Sequence, residues 1–305
     1  MLIKDAQTAD RSAVYKLWKE AYPYLDLNYL NYYFKYKFDN DVSLVLEKDE
    51  HVVSCLQMQY HTIRLLQHRL CASYLLYIAT DVDYRRKGYM TRLMDEILEQ
   101  VSHHHLVTFV KAYYPEMLET FGFKTIACRK QYCIDPSKVK PCIRTHVETT
   151  LHADELSIVY QSFVKHFDGY FERSTNDMKL LMEQCVHMQK QMIGYRGDQH
   201  QLEGYLIYQR KDHYIYVEEA IYLHSHALAE MLNAIIQDDE MLIVEVSEME
   251  NLEVLFPNTT VKNHIYMMMR IHQPDLFEKL YQMSEEAFYK KMKSDKQTFW
   301  VHIDD

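Results

Sequence analysis

The stretch Tyr84-Arg85-Arg86-Lys87-Gly88-Tyr89-Met90 concentrates side chains able to hold an anion: three consecutive cations beside one glycine. An apolar run, Tyr74-Leu75-Leu76-Tyr77-Ile78-Ala79-Thr80, precedes it. Behind it, Met90, Leu93, Met94, Ile97, Leu98 and Val101 recur at the i, i+3, i+4 spacing of one buried helix face. The order is therefore strand, short basic loop, helix. At such a junction the first backbone N–H groups of the helix lack partners, and the helix dipole adds positive potential. A glycine lets the backbone approach a ligand closely. Together these features predict a pyrophosphate guest.

No Gly-x-x-x-x-Gly-Lys-Ser/Thr and no Gly-x-Gly-x-x-Gly occurs in the chain. The loop instead resembles the Arg/Gln-x-x-Gly-x-Gly/Ala signature of the GCN5-related N-acetyltransferase (GNAT) superfamily. Arg85 and Gly88 match it, and Met90 stands where Gly or Ala is usual. Ala79-Thr80-Asp81-Val82-Asp83-Tyr84 resembles that family's run from its fourth strand into the loop, and Leu118-Glu119-Thr120-Phe121-Gly122-Phe123 its short helix with a Gly-Phe ending.

The resemblance implies acetyl-CoA as co-substrate. Ile78, Ala79 and Thr80 would line the pantetheine arm, with a backbone N–H near Ile78 polarising the thioester carbonyl. Arg85, Arg86, Lys87, Gly88, Tyr89, Met90 and Thr91 would cradle the pyrophosphate. The fifth strand would diverge from the fourth, so that residues 111–114 border the reacting centre. The family's thiolate-protonating tyrosine falls at Leu118 here, and Tyr113 and Tyr114 are the candidate replacements. Packing on the fifth strand is the alternative for both. If that strand stays extended, their side chains face opposite ways and at most one reaches the slot.

The elements around the loop are predicted as a strand at residues 2–3, a helix carrying Val14, Leu17 and Trp18, and an aromatic-rich helix over 27–38. That second helix either packs on a sheet or walls an acceptor pocket, with Tyr33 among its rings. Asp26 before it is an N-cap or a contact for a cationic acceptor. Strands are predicted at 42–46, 52–60, 62–66, 70–80, 106–110, 124–128 and 131–134. His103-His104-His105 reads as a polar turn, since three adjacent histidines cannot converge on one metal; no metal site is expected.

From about residue 140 a similar order begins again. Helices are predicted at 156–167 and 178–188, strands at 191–195, 202–209 and 214–223, a helix at 227–236, and strands at 242–246 and 266–271. The corresponding crossover, Tyr222-Leu223-His224-Ser225-His226-Ala227, has neither basic loop nor glycine. The expected fold class is α+β: tandem GNAT-like (acyl-CoA N-acyltransferase) folds with mixed, mostly antiparallel sheets flanked by helices. The expected domains are 1–137, holding acetyl-CoA; 138–271, a degenerate copy walling the acceptor pocket; and a tail, 272–305. This tandem layout, with Gly169-Tyr170-Phe171-Glu172-Arg173-Ser174 and Tyr266-Met267-Met268-Met269-Arg270-Ile271, resembles the Eis-type (enhanced intracellular survival) acetyltransferases over roughly residues 1–271. The sterol-carrier-like third domain of that group does not fit in the remaining 34 positions. The C-terminal carboxylate that serves it as base would correspond to Asp305 on a different tail.

Composition bounds the rest. With 305 residues, 48% of them hydrophobic, the chain can bury a sizeable core without disulfides, and its six cysteines, with no Cys-x-x-Cys pair, are expected as reduced thiols. No signal peptide or membrane-length apolar window is read, so a cytoplasmic location is expected. A formal charge of −10 argues against nucleic acid as partner. It is compatible with a cationic acceptor such as a polyamine, an aminoglycoside or a lysine-bearing peptide. The sequence leaves homo-oligomer formation open. It supports N-acetyl transfer to a primary amine of a small cationic molecule or lysine side chain. The alternative is an acyl-CoA-binding, sensing or interaction protein whose chemistry left with Leu118.

Overall fold

The computed structural model describes residues 1–139, 146–236, 240–294 and 299–302. Cys142 and the Asp305 carboxylate therefore lie outside the described residues; Cys55, Cys71, Cys128, Cys133 and Cys185 are free thiols. The first half runs β1 (Leu2–Asp5), α1 (Arg11–Ala21), α2 (Leu27–Tyr36), β2 (Ser43–Lys48), β3 (His51–Leu65), β4 (His68–Thr80), α3 (Tyr89–Ser102), β5 (Val107–Lys111), α4 (Pro115–Glu119) and β6 (Lys124–Ile134). The second runs β7 (Val147–Glu148), α5 (Ala153–Val164), β8 (Gly169–Phe171), α6 (Thr175–His187), β9 (Gln191–Arg196), β10 (Leu202–Arg210), β11 (Tyr214–Tyr222), α7 (Ser225–Ile235), β12 (Met241–Ser247) and β13 (Thr260–Ile271). Helices α8 (Pro274–Tyr281) and α9 (Glu285–Ser294) and a short strand β14 (Phe299–Trp300) follow. The fold is α+β, with two units of similar element order in tandem.

Among the described residues all strands join one sheet, in the order β1-β2-β3-β4-β5-β13-β6-β12-β11-β10-β9-β7, with β8 bridging β3 and β14. Pairing is antiparallel except at β4–β5, β11–β12 and β8–β14. The parallel pairs β4–β5 and β11–β12 each flank a crossover helix, α3 and α7, which is the repeated unit seen in the sequence.

Two expectations are corrected. The strands expected at 52–60 and 62–66 are one, β3, because β4 pairs with it continuously from Gln59↔Tyr74 to Leu65↔His68. Those expected at 124–128 and 131–134 are also one, β6. It stays extended because β13 covers it from Lys124 to Cys133 on one edge and β12 from Arg129 to Ile134 on the other. The last strand of the second half thus sits between β5 and β6 of the first, with Met267 opposite Lys111 and Ile271 opposite Val107.

Each half has helices on both faces. Val14, Leu17, Trp18, Tyr29, Tyr33 and Phe34 of α1 and α2 bury against one face of the first, and Leu93, Met94, Ile97, Leu98 and Val101 of α3 against the other. Within the second half, Arg173 donates to both oxygens of the fully buried Glu219 of β11 (2.8 and 3.0 Å) and to the His302 carbonyl of the tail (2.8 Å), while the Tyr205 hydroxyl of β10 donates to Glu219 (2.7 Å). Among the described residues no helix is long and apolar enough to cross a membrane.

The exchanged strand carries a prediction. A fragment of residues 1–137 lacks β13, which leaves an edge of β5 and an edge of β6 without their hydrogen-bonding partners, a template for aggregation. Expressed alone it should be insoluble or lack a cooperative unfolding transition, whereas the whole chain should show one. A soluble fragment that unfolds cooperatively would contradict this.

Candidate active site

Strand β4 does not run straight into its loop. Its register against β3 shifts between Cys55↔Ala79 and Gln57↔Leu76, so that Tyr77 and Ile78 stand against the single residue Leu56. Tyr77 takes a left-handed backbone, φ 52°. For an aromatic residue this conformation costs on the order of 1–3 kcal/mol and persists only where the surroundings enforce it. They do. The Tyr77 ring stacks on Trp18 at 4.1 Å between centroids, and its hydroxyl donates to the Tyr29 hydroxyl at 2.6 Å. The Tyr22 hydroxyl donates to the Ile78 carbonyl at 2.7 Å. Helices α1 and α2 therefore clamp the bulge.

Beyond the bulge the sheet opens. Parallel pairing between β4 and β5 runs from Ser73↔Thr108 to Leu75↔Val110, while β13 holds β5 on its far side out to Lys111. The gap is a cleft of about 460 Å³, bounded by residues 74–80 of β4 on one side and by Val110, Lys111, Tyr113 and Tyr114 on the other.

The basic loop closes one end. Arg86 is left-handed at φ 60° and Gly88 at φ 79°. At Gly88 an added Cβ would meet nothing within 4 Å, so the backbone angle and not space demands glycine there; a side chain would cost about 1–2 kcal/mol. Gly88 is also the N-cap of α3 and has no side chain with which to cap the first-turn amides. Arg85 is held by a bond from its Nε to the Thr80 carbonyl at 3.1 Å. The result is an uncapped helix N-terminus flanked by guanidinium groups, with the geometry of a phosphate cradle.

Of the residues expected along the cofactor, Ile78, Ala79, Thr80, Arg85, Arg86, Gly88, Tyr89, Met90 and Thr91 all line this cleft. Lys87 does not; its Nζ folds back to donate to the Asp83 carbonyl at 2.7 Å and lies over the Tyr84 ring. Leu118, which holds the position of the family's tyrosine, is buried in the cleft wall. Tyr113 and Tyr114 both border the cleft, against the expectation of at most one. Strand β5 ends at Lys111, so alternation has stopped before either of them. Asp26 and Tyr33 lie elsewhere. Asp26 caps α2 through Asn28 N–H at 2.6 Å, and Tyr33 is fully buried, its hydroxyl accepting from Gln59 Nε2 at 3.0 Å.

The α1–α2 loop, from which Tyr22, Tyr24 and Leu25 enter the cleft, carried no periodic signal that could have marked it. The described residues lining this cleft fall between positions 21 and 118, and none of them comes from the second half, which was expected to supply a wall. That half approaches through Tyr266, whose ring lies 5.4 Å from Lys111 Nζ. A larger, polar cavity of about 860 Å³ does lie between the halves, where Gln59, His61 and Arg64 of β3 face Tyr160, Arg173 and Asp177. Burial pushes the His61 imidazole down to about 4.

The second copy of the crossover is closed to an anion. His224 caps α7, its Nδ1 accepting from Ala227 N–H at 3.2 Å, and His224 and His226 pair with Glu203 (2.7 Å) and Glu230 (2.8 Å). Carboxylates surround the helix N-terminus where the first copy has arginines. Calorimetry with coenzyme A should therefore give one site per chain. An Arg85→Ala/Arg86→Ala variant should lose at least about 100-fold in affinity, since each charge-assisted contact is worth roughly 1.5–3 kcal/mol. Two equivalent sites, or unchanged affinity in the variant, would contradict the assignment.

Comparison with known proteins agrees with this geometry. Residues 2–126 match a family model described as an acetyltransferase (GNAT) domain, and residues 169–271 match a second model of the same description. No curated protein matches the sequence. A probable N-acyltransferase from Enterococcus faecalis V583 superposes with a TM-score of 0.74 at 16% identity, over 89% of this chain and 72% of that one. A GCN5-related N-acetyltransferase from Anabaena variabilis gives 0.74 at 14%, over 89% and 73%. Eis1 from Mycobacterium abscessus gives 0.67 at 12%, over 90% and 74%. At these identities the likeness is one of fold. The bulged strand, the basic loop and the two matching models agree: this chain carries two GNAT acetyltransferase domains in tandem.

Proposed function

We propose that the protein is an acetyl-CoA-dependent N-acetyltransferase that works through its first domain alone and acts on a primary amine. The observation that carries this reading is the joint presence of the clamped bulge at Tyr77–Ile78, the divergence of β5, and the uncapped α3 N-terminus, all lining one cleft. Arg85, Arg86 and the first-turn amides of α3 would hold the pyrophosphate, and the arm would lie along residues 78–80. The amine nitrogen attacks the thioester carbonyl carbon, a C–N bond forms, and the C–S bond breaks with its electrons passing to sulfur. A backbone N–H at the bulge would stabilise the oxyanion. The tandem layout also supports Eis-type kinship, and the acidic chain a small cationic molecule or lysine side chain as acceptor.

Proton return to the thiolate falls to Tyr113 in this reading. Its ring lies 6.5 Å from that of Tyr24 and beside Lys111, whereas Tyr114 is 70% exposed. Tyr113→Phe should lower kcat about 10- to 1,000-fold, the range of a general acid, with cofactor affinity unchanged; Tyr114→Phe should do little. Full turnover in both variants would hand that role to water or to the acceptor.

A second reading has its own observation. Leu118 in the cleft wall removes the family's usual proton donor, which suits an acyl-CoA-binding or sensing protein. Release of free thiol from acetyl-CoA in the presence of amines decides between the two. Tight binding without turnover on any amine would favour the sensor.

A further inference from the structure

The walls of the cleft hold aromatic rings and cations but no carboxylate. Among its described lining residues there is no Asp, Glu or His, although the chain as a whole carries a formal charge of −10. Tyr22, Tyr24, Tyr74 and Tyr113 supply rings, with Tyr22 and Tyr24 edge to face at 6.0 Å and Tyr24 6.5 Å from Tyr113. The cations are Arg85 and Arg86 at the phosphate end and Lys111 at the end of β5. Lys111 Nζ lies 5.3 Å from the Tyr113 ring centroid and 5.4 Å from that of Tyr266.

This set fits one kind of amine and not another. An aliphatic amine has a pKa of about 10, so at neutral pH roughly one molecule in a thousand carries the lone pair that attacks. Such an ammonium needs a carboxylate to draw it in and a base to take its proton. The lining offers neither, and Lys111 repels it. An amine borne directly on an aromatic ring has its lone pair delocalised and is uncharged at pH 7. It needs no prior deprotonation, and its ring matches the edge-to-face and offset geometry that tyrosine rings prefer.

We propose that the acceptor of the first domain is an aromatic primary amine, uncharged at neutral pH, seated against the Tyr24 and Tyr113 rings. This rests on the acetyl-transfer reading above, and takes the acceptor from the cleft lining in place of the cationic one suggested by the net charge. The neutral nitrogen attacks the acetyl carbonyl carbon, the C–N bond forms and the C–S bond breaks. The proton that nitrogen no longer holds ends on sulfur, so an arylamide and coenzyme A thiol are the products and charge is conserved. No base is consumed, in keeping with a lining that holds none.

The test uses the full chain with acetyl-CoA and three acceptors, aniline, spermidine and a lysine-bearing peptide, followed by free thiol and by product mass. Aniline should exceed the other two in kcat/KM at pH 7 by at least about 10-fold, with a nearly flat profile from about pH 6.5 to 9, since its amine does not titrate there. Tyr24→Ala, at an exposed position, should raise KM for aniline about 10-fold, by loss of a ring contact, and leave the calorimetric affinity for acetyl-CoA unchanged. A preference for spermidine or the peptide, with rates climbing towards high pH, would overturn this inference and leave acetyl transfer standing. An unchanged KM in Tyr24→Ala would equally overturn the proposed seat. Binding of acetyl-CoA with no turnover on any of the three would overturn acetyl transfer itself, and this inference with it.

Discussion

The left-handed Tyr77 in the middle of β4 is the constraint on which the cleft depends. A bulge with an aromatic residue at positive φ is unfavourable by itself, and it survives because three rings, from α1, α2 and the loop between them, hold it. Trp18 stacks on the Tyr77 ring, Tyr29 accepts its hydroxyl, and Tyr22 binds the next carbonyl. The strain is local and the restraint is distributed, a common arrangement where backbone geometry serves chemistry. It also gives the aromatic-rich α2 a purpose the sequence left open. Tyr29 and Tyr33 are core residues that fix the bulge, and it is the α1–α2 loop that lines the cleft instead.

The second constraint is the exchange of β13 into the first half. Strand β5 must leave β4 to open the slot, and a strand that loses one neighbour needs another. β13 supplies it out to Lys111. Among the described residues the second domain therefore contributes to the cleft without lining it: it anchors the strand that diverges. The buried Arg173–Glu219 pair with its hydroxyl and carbonyl partners fastens β10, β11 and the tail to one another within the second half. Buried pairs of this kind add little net stability when intact but are costly to break, by about 3–5 kcal/mol. Here they hold the second half and the tail in one arrangement.

How much of this was legible in the sequence follows from the range of each signal. The loop from Tyr84 to Met90 and the α3 face were readable because strand, glycine and helical periodicity are local. The duplication was readable as an order of elements, and the missing glycine at Leu223-His224 foretold a closed second crossover. Strand exchange was not readable, since an apolar run such as Met267-Met268-Met269 says that a strand is buried but not between which neighbours. For the same reason β6 was divided in two: its continuity comes from β12 and β13, both more than a hundred positions away. The net charge of −10 does not describe the cleft, because charge is a sum over the whole surface, while the cleft's roughly two dozen described lining residues include no carboxylate.

The central claim is that one cofactor lies in the first domain, its pyrophosphate on the α3 N-terminus and its arm in the gap between β4 and β5. A crystal structure of the full chain with coenzyme A tests this most directly. The account predicts the pyrophosphate against the amides following Gly88, between Arg85 and Arg86, and the sulfur beside the Tyr77–Ile78 bulge. Coenzyme A bound at the α7 N-terminus, or in the polar cavity between the halves with the β4–β5 gap unfilled, would contradict it.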